Sequence, residues 1–415
     1  MPEPLTTRCV IAGGGPAGVM AGFLLARAGV DVVVLEKHVD FFRDFRGDTI
    51  HPSTLEVMHE LGLLDEFLAL PHSKAEHLGA QVGKTFVPLA DFTHLPTRCR
   101  FIALMPQWDF LNFLARQGKR YPGFHLMMGA EATGLVRSRE TVIGVTATTA
   151  DCAPGETIEI RAELVIAADG RGSTLRPLAS FYPTEFGAPM DILWMRLSRR
   201  AGDPADTLGR LDAGHMMVLI NRDDYWQCAF VIPKGGIDQV RAAGLEAFRQ
   251  EIVNLVPVFA DRVTELQSWD DIKLLTVAVN RLETWHKPGF LCIGDAAHAM
   301  SPIGGVGVNL AVQDAIATAN ILGPRFQSGG VTDADLAAVQ RRRELPARLT
   351  QRVQIMAQNR VITNVLRGTK TPRPPAALRL FSLFPVLQRL PARLIGMGFR
   401  PEHVRTPPAP LPSPH

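Results

Sequence analysis

A carboxylate set beside a run of glycines is the chemistry offered by residues 290–314, where Phe-Leu-Cys-Ile leads into Gly294-Asp295 and then Pro302-Ile-Gly304-Gly305-Val306-Gly307-Val308-Asn309. The apolar tetrad predicts a strand, and the small residues after Gly305 predict the opening of a helix. The first turn of a helix holds N–H groups with no intrahelical acceptor, and with the helix dipole behind them they attract negative charge. Asp295 adds an acceptor for hydroxyl groups at the same point. Alone, such an aspartate reads equally well as a turn carboxylate or helix cap; the surrounding pattern makes this the build of a cofactor site.

A second constellation lies far earlier in the chain. Gly13-Gly14-Gly15-Pro16-Ala17-Gly18 fits Gly-x-Gly-x-x-Gly, follows an apolar strand and opens a helix. Its glycines permit a tight turn, close approach of a pyrophosphate and close packing of helix on strand. Glu36, followed by Lys37, ends the next strand about 20 residues on, where a carboxylate accepts from ribose hydroxyls. A carboxylate there repels a 2′-phosphate, so the dinucleotide is FAD or NAD rather than NADP. A nicotinamide dehydrogenase needs only this N-terminal unit, whereas Gly294-Asp295 supplies a second anchor, which favours FAD. Asp295 would hold a ribityl hydroxyl, and the N–H groups around Gly304, Gly305, Val306 and Gly307 would stabilise charge on a reduced flavin.

The elements that must position these residues are legible in outline. Residues 8–36 read as strand, helix Pro16 to Ala28, and strand; Val32 to Leu35 is apolar on both faces, as in a parallel strand covered by helices. Helices are predicted over 52–70, 107–119 and 335–367, and strands at 164–168 and 290–293. Period-two patterning in 71–101 and 177–280 predicts an antiparallel sheet. The division that follows is an α/β protein with a discontinuous nucleotide domain (1–70, 102–176, 281–340). A sheet domain (71–101, 177–280) is inserted in it twice, a helical region covers 341–404, and a disordered proline-rich tail covers 405–415. The amphipathic stretch 376–399 reads as closing over the core or substrate mouth, with membrane contact as the alternative.

Length and composition set the outer limits. A chain of 415 residues exceeds a single core, and 46% apolar with 20% charged residues is ordinary for a globular protein. A net charge of +3 argues against a nucleic-acid partner. The five dispersed cysteines and the twelve histidines form no ligand pattern, so no metal is expected. With neither a secretory signal nor a long apolar run, the expectation is a soluble cytoplasmic protein.

The glycine turn with Glu36, the stretch Leu164 to Asp169-Gly170-Arg171-Gly-Ser173-Thr-Leu-Arg176, and Gly294-Asp295 with Pro302 and Asn309 together resemble the class A flavin monooxygenases of the para-hydroxybenzoate hydroxylase type, over residues 5 to about 345. The resemblance implies a Rossmann-like FAD-binding fold with an inserted antiparallel-sheet substrate domain and C-terminal helices. It implies FAD, transient NADPH or NADH, O2 and a small aromatic substrate hydroxylated through a flavin C4a-hydroperoxide, in a monomer or homodimer. Gly13, Gly15, Pro16, Ala17 and Gly18 would form the phosphate turn. Glu36 would bind the ribose, and Arg46 would lie along the ribose and phosphates. Gln107 would face the cofactor, Asp169-Gly170 the pyrophosphate, and Gly294-Asp295 the ribityl chain. Pro302 would sit on the oxygen side, with Gly304, Gly305, Val306, Gly307, Val308 and Asn309 at the pyrimidine edge. Many relatives carry Pro-Pro and a Gln or Lys where this chain has Ser301-Pro302 and Val306.

For the substrate, Trp194, Arg196, His215, Met217, Tyr225 and Gln227 are the candidates in the sheet domain, and no base is singled out. A halogenase of the same fold would need a Trp-x-Trp-x-Ile-Pro-like segment, which the sequence lacks. A reductase of hydrophobic isoprenoids and a non-catalytic redox-responsive FAD protein remain as other readings.

Overall fold

The computed structural model describes residues 4–42, 49–150, 152–153, 156–204, 208–368 and 376–410. Strand Leu5–Ala12 lies at the centre of an eight-stranded sheet, parallel to Val32–Glu36 on one side and to Ile158–Ala167 on the other. Phe124–Met128 extends the sheet beyond Val32–Glu36, and Phe290–Cys292 extends it beyond Ile158–Ala167. Each central strand is buried on both faces, which explains the unbroken run Val32 to Leu35. The register carries the consequence for function: Ala12 pairs with Ala167, and Ala167 with Cys292. The three strands therefore end in one row, and the Gly13 turn, Asp169-Gly170 and Gly294-Asp295 all leave the sheet along the same edge.

Helix Pro16–Arg27 starts with proline in its first turn and closes where Gly29 takes φ +80°. The helix expected over 52–70 is two helices, Pro52–Glu60 and Leu64–Leu68. Gly62 at φ +71° separates them, with its N–H donating to His59 O and that of Leu63 to Met58 O, the paired bonds of a glycine helix stop.

The second sheet has seven strands in the order 273–275, 190–198, 225–233, 215–221, 208–212, 77–82, 85–91, drawing on both segments with period-two patterning. Its outer face packs Leu193, Met195, Phe230 and Trp226 beneath Phe248 and Ile252 of helix Leu245–Leu255. Its inner face carries Ile192, Trp194, Met216, Val218, Ile220 and Ala229. These pack against Ile303 of the glycine loop and Ile395 near the C-terminus.

Helix Asp333–Ala357 is capped by a reciprocal Thr332–Asp335 pair and runs unbroken through the division expected at 340/341, then passes through a π-turn at Gln358–Ile362 into Thr363–Arg367. The tail also departs from expectation where it is described. Arg27 Nη1 donates to Thr406 O at 2.6 Å, Ala409 N–H donates to Arg27 O at 2.7 Å, and Thr406 is buried. The end of the first helix thus captures residues 405–410, because prolines leave the carbonyls and the Ala409 donor available for pairing.

One charged contact stabilises the outer layer of the second sheet. Arg262 Nη1 donates to Asp203 Oδ2 at 2.6 Å with both side chains 3% exposed, and Trp226 Nε1 donates to the same oxygen at 2.9 Å. Removing Asp203 leaves Arg262 with half-exposed Asp261, 2.8 Å from its Nε, and Ser198 O, and leaves Trp226 Nε1 without this acceptor. Asp203→Ala should lower stability by about 2–3 kcal/mol in urea denaturation. Because the pair lies on the far side of the sheet from the glycine turns, the protein that remains folded should keep its FAD; loss of FAD from folded protein would contradict this.

Candidate active site

Two of the three motif glycines in the first turn are demanded by packing. At Gly13, φ +106°, a side-chain carbon would lie 2.4 Å from Ala168 O, and at Gly18 it would lie 1.9 Å from Gly13 O. Gly15 differs, since a carbon there meets nothing within 4 Å. That open position caps helix Pro16–Arg27, so a phosphate could approach backbone and helix N–H groups together. Glu36 is fixed beside the turn: Oε2 accepts the Gly14 N–H at 3.0 Å and Oε1 the His38 N–H at 3.1 Å. Lys37 is exposed next to it, and Gln107 is half-buried at the start of helix Gln107–Gly118. Arg46 lies outside the described residues.

Gly294 at φ +61° brings the second anchor against the first, with a side-chain carbon there 3.0 Å from Ala17 Cβ. Asp295 is 28% exposed and sits 3.3 Å from Arg171 Nη2. Arg171 belongs to the Asp-Gly stretch, and Arg176 binds that stretch to the anchor by donating to Ala296 O at 3.2 Å and Arg171 O at 3.0 Å. Asp169 Oδ2 accepts the N–H groups of Thr174 and Leu175, whereas its buried Oδ1 has no partner. Burial pushes the Asp169 carboxyl above its ordinary range. An acceptor held dry and unpaired beside the glycine turn suits a ligand hydroxyl. Open Gly15, Glu36, Asp169 Oδ1 and Asp295 therefore fit an FAD molecule extended along this edge.

Behind the anchor is a buried network that the sequence reading missed. Asp314 accepts the Gly294 N–H at 3.0 Å, His298 Nε2 at 2.6 Å and Arg343 Nε at 3.0 Å. Burial raises its carboxyl, but His298 and Arg343 outweigh that and hold it below its ordinary value. Arg343 also reaches Glu402 Oε1 at 3.2 Å, and Glu402 receives Arg342. The sequence signal was present: an aspartate seven residues into an otherwise small and apolar helix is costly unless paired.

The glycine loop is fixed from two sides. Thr49 Oγ1 donates to Gly305 O at 2.9 Å; Asn309 Oδ1 accepts His51 N–H at 2.9 Å and Thr54 Oγ1 at 2.7 Å, and Asn309 Nδ2 donates to Thr49 O. The Asn309 side chain is thereby engaged within the protein, and only its backbone belongs to the helix start. Gly305 N–H is likewise spent on Pro302 O at 3.0 Å, leaving Gly307, Val308 and Asn309 as the first-turn donors of helix Gly307–Gln327. From the other side, Gln354 accepts Ser301 N–H and donates to Ser301 O at 2.8 Å and Ile303 O at 2.9 Å. Gln351 donates to Ala299 O at 3.0 Å. These glutamines share one face of helix Asp333–Ala357 with Gln358, a polar stripe at helical spacing that sequence alone displays but does not interpret.

The inner face of the second sheet settles the directions of the substrate candidates. Trp194, Arg196, Tyr225 and Gln227 share it, with Arg196 4.2 Å over the Tyr225 ring and exposed. His215 and Met217 point to the opposite face: Met217 is buried in the outer core, and the His215 ring lies 5.9 Å from Phe230. The hairpin pairing Asp212 with His215 fixes this parity, which turns Met216, Val218 and Ile220 inward instead. Among the described residues no group of three or more His, Cys, Asp or Glu side chains is placed to hold a metal ion.

A glycine turn with a carboxylate fixed beside it, a second Gly-Asp anchor and a covering sheet define a flavin-dependent oxidoreductase. The chain belongs to the family described as FAD binding domain, whose model matches residues 6–353, and it is an FAD-dependent NAD(P)H monooxygenase of the para-hydroxybenzoate hydroxylase-like class. It is 31% identical over 407 residues to a 6-methylpretetramide 4-monooxygenase of Streptomyces rimosus, covering 97% of this chain and 94% of that one. A rifampicin monooxygenase of Streptomyces venezuelae is 28% identical, covering 74% of this chain and 62% of its own, so the match spans under two thirds of that relative. The anhydrotetracycline hydroxylase OxyS of Streptomyces rimosus has a similar fold, with a TM-score of 0.71 at 22% identity, covering 94% of this chain and 76% of that one.

Two measurements test this geometry. Gly15→Ala should leave the apoprotein within about 1 kcal/mol of the parent yet weaken FAD binding at least tenfold in a fluorescence titration; unchanged affinity would remove Gly15 from the phosphate turn. His51 is fully buried, and its Nδ1 lies 2.7 Å from Ile395 O, which makes Nδ1 the protonated nitrogen. Burial lowers its pKa from 6.5 to about 4, so the folded protein refuses a proton that the unfolded chain accepts. Stability contributed by neutral His51 is complete above pH 6.5 and is lost as pH falls from there toward 4, by about 3 kcal/mol. Urea midpoints across this range should fall less steeply in His51→Gln, and an equal slope would refute the assignment.

Proposed function

We propose that this monooxygenase hydroxylates an electron-rich, phenol-like aromatic ring lying between the inner face of the second sheet and the glycine loop. The observation that carries this reading is the apolar inner face itself, where Trp194, Met216 and Val218 pack with Ile303 next to Pro302. Such a surface takes a flat hydrophobic ring, and the two Streptomyces rimosus proteins named for tetracycline-type substrates favour the same substrate class.

Bound FAD supplies a two-electron reservoir filled by NAD(P)H and the means to activate O2 for transfer of one oxygen atom. The residues of this chain do the rest. Glu36 would accept from the adenosine ribose, Asp295 from the ribityl chain and Asp169 Oδ1 from a neighbouring hydroxyl. The first-turn N–H groups of Gly307, Val308 and Asn309 would serve the pyrimidine edge, where the helix dipole would stabilise negative charge. Pro302 and the glycines themselves bring no side-chain donor to the loop that would border the oxygen side. The sheet with Ala392, Ile395 and Met397 would exclude water, which would otherwise divert activated oxygen to peroxide.

The test is to reduce the FAD-loaded protein anaerobically, mix it with 18O2 and a panel of phenolic and polyketide-type aromatics, and follow flavin absorbance and product mass. A transient spectrum unlike either oxidised or reduced flavin, with one labelled oxygen in the product, is expected. Direct reoxidation with stoichiometric hydrogen peroxide across the panel would defeat the proposal, and a reduced product without label would indicate a reductase instead.

A further inference from the structure

The C-terminal segment has one side packed on the inner sheet face and an outer side left exposed among the described residues. Ala392, Ile395 and Met397 pack against Trp194, Val218 and Ile220 of the inner sheet face. On the outer side Leu383 is 70% exposed, Leu390 66% and Val386 64%, with Phe384, Leu380 and Leu387 also exposed. Large apolar side chains protruding together in one short stretch need a partner phase.

Charge identifies that phase. Between Glu344 and Glu402 the sequence holds ten Lys and Arg residues and no Asp or Glu. Since the whole chain carries only +3, the remainder of the protein is net acidic, and residues 376–396, which carry the protruding apolar side chains, hold Arg379, Arg389 and Arg393 and no acidic residue. Arg389 and Arg393 are exposed in this stretch. Apolar side chains flanked by arginines, with no acidic residue among them, match the boundary of an anionic bilayer, where acyl chains receive the leucines and headgroups receive the guanidinium groups. A second copy of this chain would instead set like charges against each other across an isologous contact. Among the described residues no helix is long and apolar enough to cross a membrane, so the contact would be peripheral.

We infer that helices Ala376–Leu383 and Arg389–Gly396, with the turn between them, dock this enzyme reversibly on an anionic lipid surface. The docking face is the back of the segment that packs on the inner sheet face. A hydrophobic substrate dissolved in lipid would thereby be concentrated at the protein.

The test is flotation of the full-length, FAD-loaded protein with vesicles of equimolar phosphatidylcholine and phosphatidylglycerol. Binding should be lost on pure phosphatidylcholine vesicles and in high salt. Arg389→Glu with Arg393→Glu should lower partitioning at least about twentyfold, as expected for two cations at an anionic surface. Leu383→Ser with Phe384→Ser should also release the protein, and both variants should retain FAD and activity in solution, which excludes misfolding. Failure of the parent protein to float with anionic vesicles at low salt overturns the inference, as does flotation unaffected by either variant. A dimer in the absence of lipid that Leu383→Ser dissolves would also overturn it, by assigning the face to a second copy.

Discussion

The register of three parallel strands is the constraint on which the site depends. Because Ala12, Ala167 and Cys292 lie side by side, three turns separated by more than a hundred residues in sequence open along one sheet edge. That proximity leaves no room for side chains: Gly13 abuts Ala168, Gly18 abuts Gly13, and Gly294 abuts Ala17. The glycines at these positions are conditions for the strands to end together, whereas Gly15, like Gly170 in the neighbouring turn, faces open space where a ligand can use the clearance. A slip of one residue in either pairing would invert every side chain on a strand buried on both faces, so the core of the sheet enforces the geometry of the site.

Those parts of the fold that follow from local periodicity were legible in the sequence. The strand–glycine turn–helix unit, the apolar strands at 164–168 and 290–293, and the alternating segments that form the second sheet all announce themselves by spacing. Glu36 and Asp295 were singled out because each follows an apolar strand beside a glycine turn, and the strand register does bring those turns to one sheet edge. The break at Gly62 was hidden because leucines continue at helical spacing on both sides of it, and periodicity cannot register one residue of positive φ.

Sheet parity was the other limit. Strand 215–221 has apolar residues on both faces because helix Leu245–Leu255 covers one and the glycine loop with the C-terminal segment faces the other. Alternation therefore carries no information about which set turns inward, and Met216 was as good a candidate as Met217. Trp194, Arg196, Tyr225 and Gln227 share the inner face, but choosing them required only consistent parity within their own strands, which adjacent pairing in the sheet then preserved.

The family match ends at residue 353, yet the site is completed by residues beyond it. Gln354 holds both polar groups of Ser301, Ile395 receives the His51 imidazole, and Glu402 closes the charge chain that runs through Arg343 to Asp314 and the Gly294 N–H. Truncation before residue 402 would leave Arg343 paired with Asp314 alone among the described carboxylates and remove a buried charge-assisted contact worth about 1.5–3 kcal/mol. The route from that loss to the cofactor is short, because Asp314 shares one carboxylate between Arg343 and the Gly294 turn. The C-terminal region is thus energetically continuous with the flavin anchor. Any partner that engages its outer face acts on an element that already contributes to holding the glycine loop and the second anchor in place.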